Sequence, residues 1–89
     1  MTAYLISYDL DKPGQDYHRL IKELERLKAE RVLFSEWIFR STSSAAQIRD
    51  HLRGFTDAND MLLILTLTGE AAWTRLMITD QATKQALSA

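Results

Sequence analysis

The sequence predicts an α+β fold built around one antiparallel sheet. Segments rich in β-branched and aromatic residues alternate with segments whose apolar residues recur at helical spacing. The chain has 89 residues, which is room for one hydrophobic core. We therefore expect a single domain over residues 1–89.

The composition excludes several classes of protein. Apolar residues make up 46% of the chain and charged residues 26%, as in an ordinary folded domain. There is no cysteine, which excludes disulfides, zinc–thiolate centres and thiol nucleophiles. The net charge of −1 argues against a surface coated in positive potential. The longest apolar run, Met61–Leu65, is far shorter than the roughly 20 residues of a membrane span. We expect a cytoplasmic protein without a membrane segment or a secretory signal.

The first half of the chain predicts a strand, a helix and a further strand region. Ala3–Leu10 is rich in aromatic and branched residues, and Asp11–Gly14 then signals a turn. A helix follows, with one apolar stripe composed of Tyr17, Leu20, Ile21, Leu24 and Leu27. Val32–Arg40 is a long strand, or two short strands separated by a kink near Ser35 and Glu36.

The second half predicts a helix, a strand and a short tail. Ser44 and Gln47 form a capping box, and Gly54 stands near the expected end of that helix. Met61–Leu67 is a nearly continuous apolar strand. In the tail, a helical spacing relates Trp73, Leu76 and Met77, and Asp80 is a candidate cap for a last helix through Leu87.

This element order predicts a ferredoxin-like βαββαβ sandwich, with an antiparallel sheet, two helices on one face and a short C-terminal tail. The strands are apolar on both sides, as Leu62 and Ile64 alternate with Met61 and Leu63. Two helices cover only one face, so the other needs a partner. We expect a homodimer that joins the sheets around a two-fold axis. The alternative is that residues 70–89 fold back over that face.

Asp9 and Asp11 form the most informative polar pair, because they follow the first strand directly. Carboxylate oxygens at a sheet rim suit Mg²⁺ or Mn²⁺, and a metal-bound water can attack a phosphodiester. A two-fold axis that brings two copies of Asp9 together would allow them to share one ion. The alternative is that both aspartates simply build the turn.

Other motifs are absent or have a structural interpretation. The glycines are too scattered for a phosphate-binding loop, and His18 and His51 lack the spacing of a zinc peptidase. Trp37 and Phe39 suit core packing better than stacking on a nucleobase. Four basic residues are candidates to contact a phosphate backbone, although they also suit a solvated face: Lys12, Arg19, Arg31 and Arg40.

Three segments carry a resemblance to a known family: YLISYDL at the start, RVLFSEWIF in the middle and DANDMLLILTL near the end. Together they are similar to the second CRISPR-associated (Cas) protein family, and most similar to its stand-alone SinR-like relatives, over residues 3–68. The resemblance implies a ferredoxin-like dimer and a metal-dependent nuclease. It assigns the metal ligand to Asp9, the family's serine to Ser35 and a nearby aromatic residue to Trp37.

The resemblance leaves two principal hypotheses open. In the first, Asp9 binds Mg²⁺ or Mn²⁺, Ser35 positions phosphate or water, and Lys12 or Arg19 holds the nucleic-acid backbone. In the second, the chain is a catalytically inactive dimeric scaffold that binds a protein or nucleic-acid partner, since CRISPR members also help an integrase to hold new spacer DNA. The segment KPGQDYHRL stands where the family has an arginine-rich stretch, and the near-neutral charge of the chain favours the second hypothesis. A third possibility is a regulator that binds a small molecule in a pocket.

Overall fold

The computed structural model describes residues 1–10 and 17–88. Within these residues lie four strands and three α-helices, which confirms the α+β class. In chain order they are β1 (Thr2–Asp9), α1 (Tyr17–Arg26), β2 (Glu30–Leu33), β3 (Glu36–Ser41), α2 (Ala45–Leu52), β4 (Met61–Thr66) and α3 (Asp80–Leu87). No helix of this described part is long and apolar enough to cross a membrane.

The sheet is antiparallel throughout, with the strand order β2-β3-β1-β4. β1 lies between β3 and β4, so that Ile6 faces Trp37 on one side and Ile64 on the other. The first and last strands are therefore neighbours. This position makes β1 the strand around which the rest of the sheet is organised.

One face of the sheet packs against α1 and α2. Side chains alternate along a strand, and the even-numbered residues of β1 point towards the helices. The core contains Tyr4, Ile6 and Tyr8 from β1, Leu20 and Leu24 from α1, Trp37 from β3, and Ile48 and Leu52 from α2. These helices thus cover one face and leave the odd-numbered side chains of β1 on the other.

The tail covers part of the second face. Val32, Ile38 and Ala86 form a smaller buried cluster, against which Leu67, Leu76, Ile78 and Leu87 pack. Towards β4 the cover ends, and Met61, Leu63 and Leu65 are 61%, 53% and 46% exposed. The alternative in which residues 70–89 fold back over this face is therefore correct for β2 and β3, whereas the β4 side stays open.

Several local predictions are decided by the structure. The Val32–Arg40 segment is two strands, β2 and β3, separated by a turn at Phe34 and Ser35. The capping box of α2 is confirmed, because the Gln47 N–H donates to Ser44 Oγ and the Ser44 N–H donates to Gln47 Oε1. The predicted turn at residues 11–14 lies outside the described residues.

The tail departs from its sequence-based expectation. The helical spacing of residues 73, 76 and 77 produces no helix there, because the Met77 N–H donates to the Val32 carbonyl at 2.9 Å and the segment runs beside β2. Asp80 is not the cap of α3. Thr79 is, since its hydroxyl accepts the N–H of Ala82 at 3.0 Å, while Asp80 accepts the indole N–H of Trp73.

Candidate functional site

Asp9 is the last residue of β1, where it faces Met61 of β4. Its side chain is exposed. Because β1 is a central strand, its end is flanked by β4 on one side and by the turn between β2 and β3 on the other. A shallow depression of ≈160 Å³ beside it is lined by Ser7, Tyr8, Asp9, Met61, Leu62 and Leu63. Small-molecule sites usually enclose about 300–1,000 Å³, so this surface fits the edge of a polymer better than an enclosed ligand.

Ser35 lies at the same end of the sheet as Asp9. It occupies the turn between β2 and β3, and its carbonyl accepts the N–H of Tyr8 at 3.2 Å. Tyr8 is the residue immediately before Asp9, so this bond fixes the turn against the end of β1. The backbones of Asp9 and Ser35, the two residues that the sequence predicted as catalytic, therefore lie near each other at one end of the sheet, with Ser35 bonded to the neighbour of Asp9.

Glu36 is a further carboxylate at this end that sequence reasoning missed. It faces Ser7 across the β1–β3 ladder, and the Ser7 hydroxyl donates to Glu36 Oε2 at 3.0 Å. Ser7 and Asp9 project from the same face of the sheet. Asp9 and Glu36 are therefore diagonal neighbours, with Cα atoms about 7–8 Å apart. Glu36 follows Ser35 directly in the sequence, but only the register of the two strands shows that it shares a face with Asp9.

The donor set around Asp9 fits a hard divalent cation only in part. Across residues 1–10 and 17–88, no three acidic or histidine side chains form a group able to hold a metal. Asp9 and Glu36 offer carboxylate oxygens, the ligands that Mg²⁺ and Mn²⁺ prefer. An ion held by one or two carboxylates would keep several water molecules, as Mg²⁺ commonly does.

The predicted nucleic-acid contacts do not form one continuous track. Arg19 donates to the Gly54 carbonyl at 2.7 Å on the helix side, and Arg40 donates to the Ser88 carbonyl at 3.0 Å beside the tail. Lys12 lies outside the described residues. Arg31 is near the Asp9 end, where it donates twice to the Phe34 carbonyl, at 3.0 and 2.6 Å.

The aromatic residues at this end mainly support the site. The Trp37 indole N–H donates to the Tyr8 hydroxyl at 3.1 Å, and both side chains are buried. Trp37 is therefore a core residue, as the sequence indicated. The guanidinium carbon of Arg31 lies 5.5 Å from the Trp37 ring and 4.9 Å from that of Phe34. These cation–π contacts hold the turn that carries Ser35.

A second polar cluster joins α1 to α2. Glu23 is only 5% exposed, and both of its oxygens accept hydrogen bonds from Arg26, at 2.7 and 2.6 Å. His51 Nε2 lies 2.5 Å from Glu23 Oε2. Glu23 was not among the residues that the sequence assigned to the apolar stripe of α1. Glu23 lies three residues after Leu20 and four residues before Leu27. This spacing puts it on the buried stripe of the helix.

This cluster predicts an acid-sensitive contribution to stability. The hydrogen bond from Arg26 lowers the pKa of Glu23 from its ordinary 4.5 to about 2. Burial raises this pKa, and the hydrogen bond with His51 lowers it further. A carboxyl whose pKa is lowered by folding stabilises the protein above its unfolded pKa, and that stabilisation is lost as the pH falls towards its folded pKa. We expect a loss of about 1–2 kcal/mol between pH 4.5 and 2, since Arg26 is 64% exposed and the pair is screened by solvent.

Urea unfolding of wild type and Glu23→Gln at several pH values would measure this contribution. The variant should be less stable at pH 7, and the difference between the two proteins should shrink below pH 4.5. Glu25→Gln, which changes an exposed carboxylate on the same helix, is the control. A difference that stays constant down to the lowest pH would contradict the assignment.

Family models and solved structures were compared with this chain. No family model matches the sequence. No solved structure matches the chain. The residues at the end of β1 and the three sequence segments that resemble the Cas family are therefore the grounds for proposing a function.

Proposed function

We propose that the chain is a homodimeric, divalent-metal-dependent nuclease, or a domain derived from one, that acts on nucleic-acid phosphodiesters. The observation that supports the proposal is the backbone bond between Ser35 and Tyr8, the residue before Asp9, which puts Ser35 at the same end of the sheet as Asp9. The resemblance to the second Cas family assigned these two residues from separate sequence motifs. A shared position beside an exposed carboxylate is what a joint role in phosphodiester chemistry requires.

The residues at this end have distinct roles in the proposal. Asp9 of each subunit is the ligand of Mg²⁺ or Mn²⁺, and Glu36 is placed to hold a water of the same ion. The bound ion would supply a water of lowered pKa and neutralise charge on the phosphate. Ser35 positions phosphate or water with its hydroxyl. Arg31 stabilises the turn that carries Ser35, and Lys12 or Arg19 holds the nucleic-acid backbone.

The proposal includes a ferredoxin-like arrangement of the chain. Its support is the βαββαβ order of the first six elements, the placement of β1 beside both β3 and β4, and the packing of α1 and α2 on one face. The homodimer is supported by the apolar side chains of β4 that the tail leaves exposed.

The second candidate function is an inactive dimeric scaffold for a protein or nucleic-acid partner. A specific observation favours it: the guanidinium groups of Arg19, Arg31 and Arg40 all donate to carbonyls of the chain's own backbone. Cations used in this way are less available for phosphate contacts, on which nucleic-acid affinity mainly depends. The net charge of −1 acts in the same direction.

A cleavage assay on the wild-type protein separates the two functions. Labelled single- and double-stranded RNA and DNA are incubated with purified protein and Mg²⁺, Mn²⁺ or a chelator. The nuclease predicts a product with at least one metal and none with the chelator. No cleavage of any substrate, or cleavage that the chelator leaves unchanged, would reject it in favour of the scaffold.

A further inference from the structure

The two edges of the sheet differ in how they are protected. Proteins guard exposed strand edges with short strands, bulges, charges or a covering segment. β2 has all four: it is four residues long, its register shifts between Arg31 and Leu33, it carries Glu30 and Arg31, and its Val32 carbonyl accepts a bond from the tail. This edge is closed to further pairing.

The edge formed by β4 has none of these protections. Its six residues, MLLILT, contain no charge, and its register with β1 is regular from Met61 to Thr66. No strand within residues 1–10 and 17–88 lies beyond it. The Leu67 N–H donates to the Ala3 carbonyl, so odd-numbered residues here direct their backbone groups towards β1. Even-numbered residues direct theirs outward, because the direction alternates along a strand.

An apolar stripe runs next to this open edge. Met61, Leu63 and Leu65 project from the second face of the sheet, and about half or more of the surface of each is exposed. The tail covers the same face only over β2 and β3. The outward backbone groups of Leu62 and Ile64 and the stripe together form one continuous surface, which we name the β4 surface.

We propose that the β4 surface binds the β4 surface of a second copy, as an antiparallel strand pair centred on Ile64. In this register Ile64 faces its own counterpart and Leu62 faces Thr66 of the partner subunit, so the outward N–H and C=O groups are paired. On the stripe, Leu63 lies beside Leu65 of the partner subunit. The two sheets become one sheet of eight strands.

The charge distribution favours a second copy in this antiparallel direction. β4 itself is uncharged, so an identical strand brings no like charge against it. Three acidic residues lie near the Met61 end: Asp9, Asp57 and Asp60. They outnumber the two basic residues that line a depression together with Asp57 and Asp60, which are Arg49 and Arg53. Antiparallel pairing sends the two acidic ends to opposite sides of the interface, whereas a parallel pair would place them together.

The proposal specifies the interface of the homodimer under Proposed function and has a consequence for its sites. In this dimer the two Asp9 residues are three strand spacings apart across the sheet and six residues apart along the strands. The direct distance between them is roughly 25 Å. Both lie on the same face of the joined sheet. The two carboxylates are too far apart to bind one ion, so each subunit has an Asp9 site of its own. A shared ion would require a different dimer interface.

Sedimentation of the wild type, Leu63→Lys and Met77→Lys tests the interface. We expect the wild type to be a dimer. The dissociation constant of the dimer should rise at least about tenfold in Leu63→Lys, because this change puts an ammonium group in the apolar stripe of each copy. Met77 is 58% exposed, close to the 53% of Leu63, but lies off β4, so its variant should dimerise normally. Thermal unfolding checks that both variants are folded.

The proposal would be overturned if the wild type stays monomeric at about 100 μM. It would also be overturned if the β4 surface pairs only with a strand of another protein. Equal dimerisation of wild type and Leu63→Lys would do the same. These outcomes do not depend on the cleavage assay, so the interface and the nuclease can fail separately.

Cross-linking tests the register, because the chain contains no cysteine of its own. Leu63→Cys and Leu65→Cys are prepared separately and then mixed under mild oxidation. Directly opposed residues of a strand pair are about 4.5–5.5 Å apart at Cα, within the range of a disulfide. The mixture should form a linked dimer faster than either variant alone. Equal rates in all three samples would reject the register centred on Ile64.

Discussion

Replacing Asp9 by asparagine is expected to reduce metal-dependent cleavage at least about 100-fold, since even residues that only orient a metal ligand typically affect activity by 10–100-fold. The change keeps the size of the side chain and removes the charge that binds the cation in the proposed mechanism. Asp9 is exposed, so the free energy of unfolding should change by no more than about 0.5 kcal/mol. The measurement is the initial cleavage rate in Mg²⁺ and in Mn²⁺, with thermal unfolding of each protein.

Glu25→Gln is the matched control for Asp9→Asn. It removes one negative charge from an exposed position on α1, far from the end of β1. Its cleavage rate should equal that of the wild type. If Asp9→Asn and Glu25→Gln cleave at the same rate, Asp9 is not the metal ligand and any activity has another source.

Replacing Trp37 by alanine is expected to lower the free energy of unfolding by about 3–5 kcal/mol. Trp37 is 2% exposed, and its loss leaves a large cavity between the sheet and the helices. It also removes the indole donor of the Tyr8 hydroxyl next to the candidate site. A domain of this size has a total stability of only about 4–13 kcal/mol, so a large share would be lost.

Trp37→Phe separates packing from hydrogen bonding at this position. Phenylalanine keeps most of the buried ring but cannot donate to Tyr8, so we expect a smaller loss of about 1–2 kcal/mol. Urea unfolding at one fixed protein concentration gives both values, since dimerisation would otherwise shift the midpoint. An alanine variant within about 1 kcal/mol of the wild type would show that Trp37 is not a central core residue.

The sequence was most informative where a local pattern determines the structure. Three features depend on neighbours within a few positions, and each is found where it was expected: the strand that ends at Asp9, the apolar stripe from Leu20 to Leu27, and the capping box of Ser44 and Gln47. The tail was less predictable, because Met77 exchanges a helical bond for one to Val32, a residue far away in the chain. The spacing of residues along the chain does not show which of these two hydrogen bonds is favoured.

The candidate site shows the same division. Asp9 and Ser35 were identified by motif, but their common position at one end of the sheet depends on the antiparallel pairing of β1 with β3. Glu36 was missed because its face is set by that register. Glu23 was missed for another reason: its charge suggested solvent, whereas Arg26 and His51 compensate it in a buried position.

The central place of β1 has a consequence for the order of folding. β1 is synthesised before the other three strands that the structure describes, yet its partners are residues 36–41 and 61–66, which emerge from the ribosome later. At about 5–20 residues per second, its second partner is complete only several seconds after β1 itself. Both pairings close long loops, which slows folding. During that interval the apolar strand that ends at Asp9 is open to other chains, so yield should respond to chaperones and to the rate of translation.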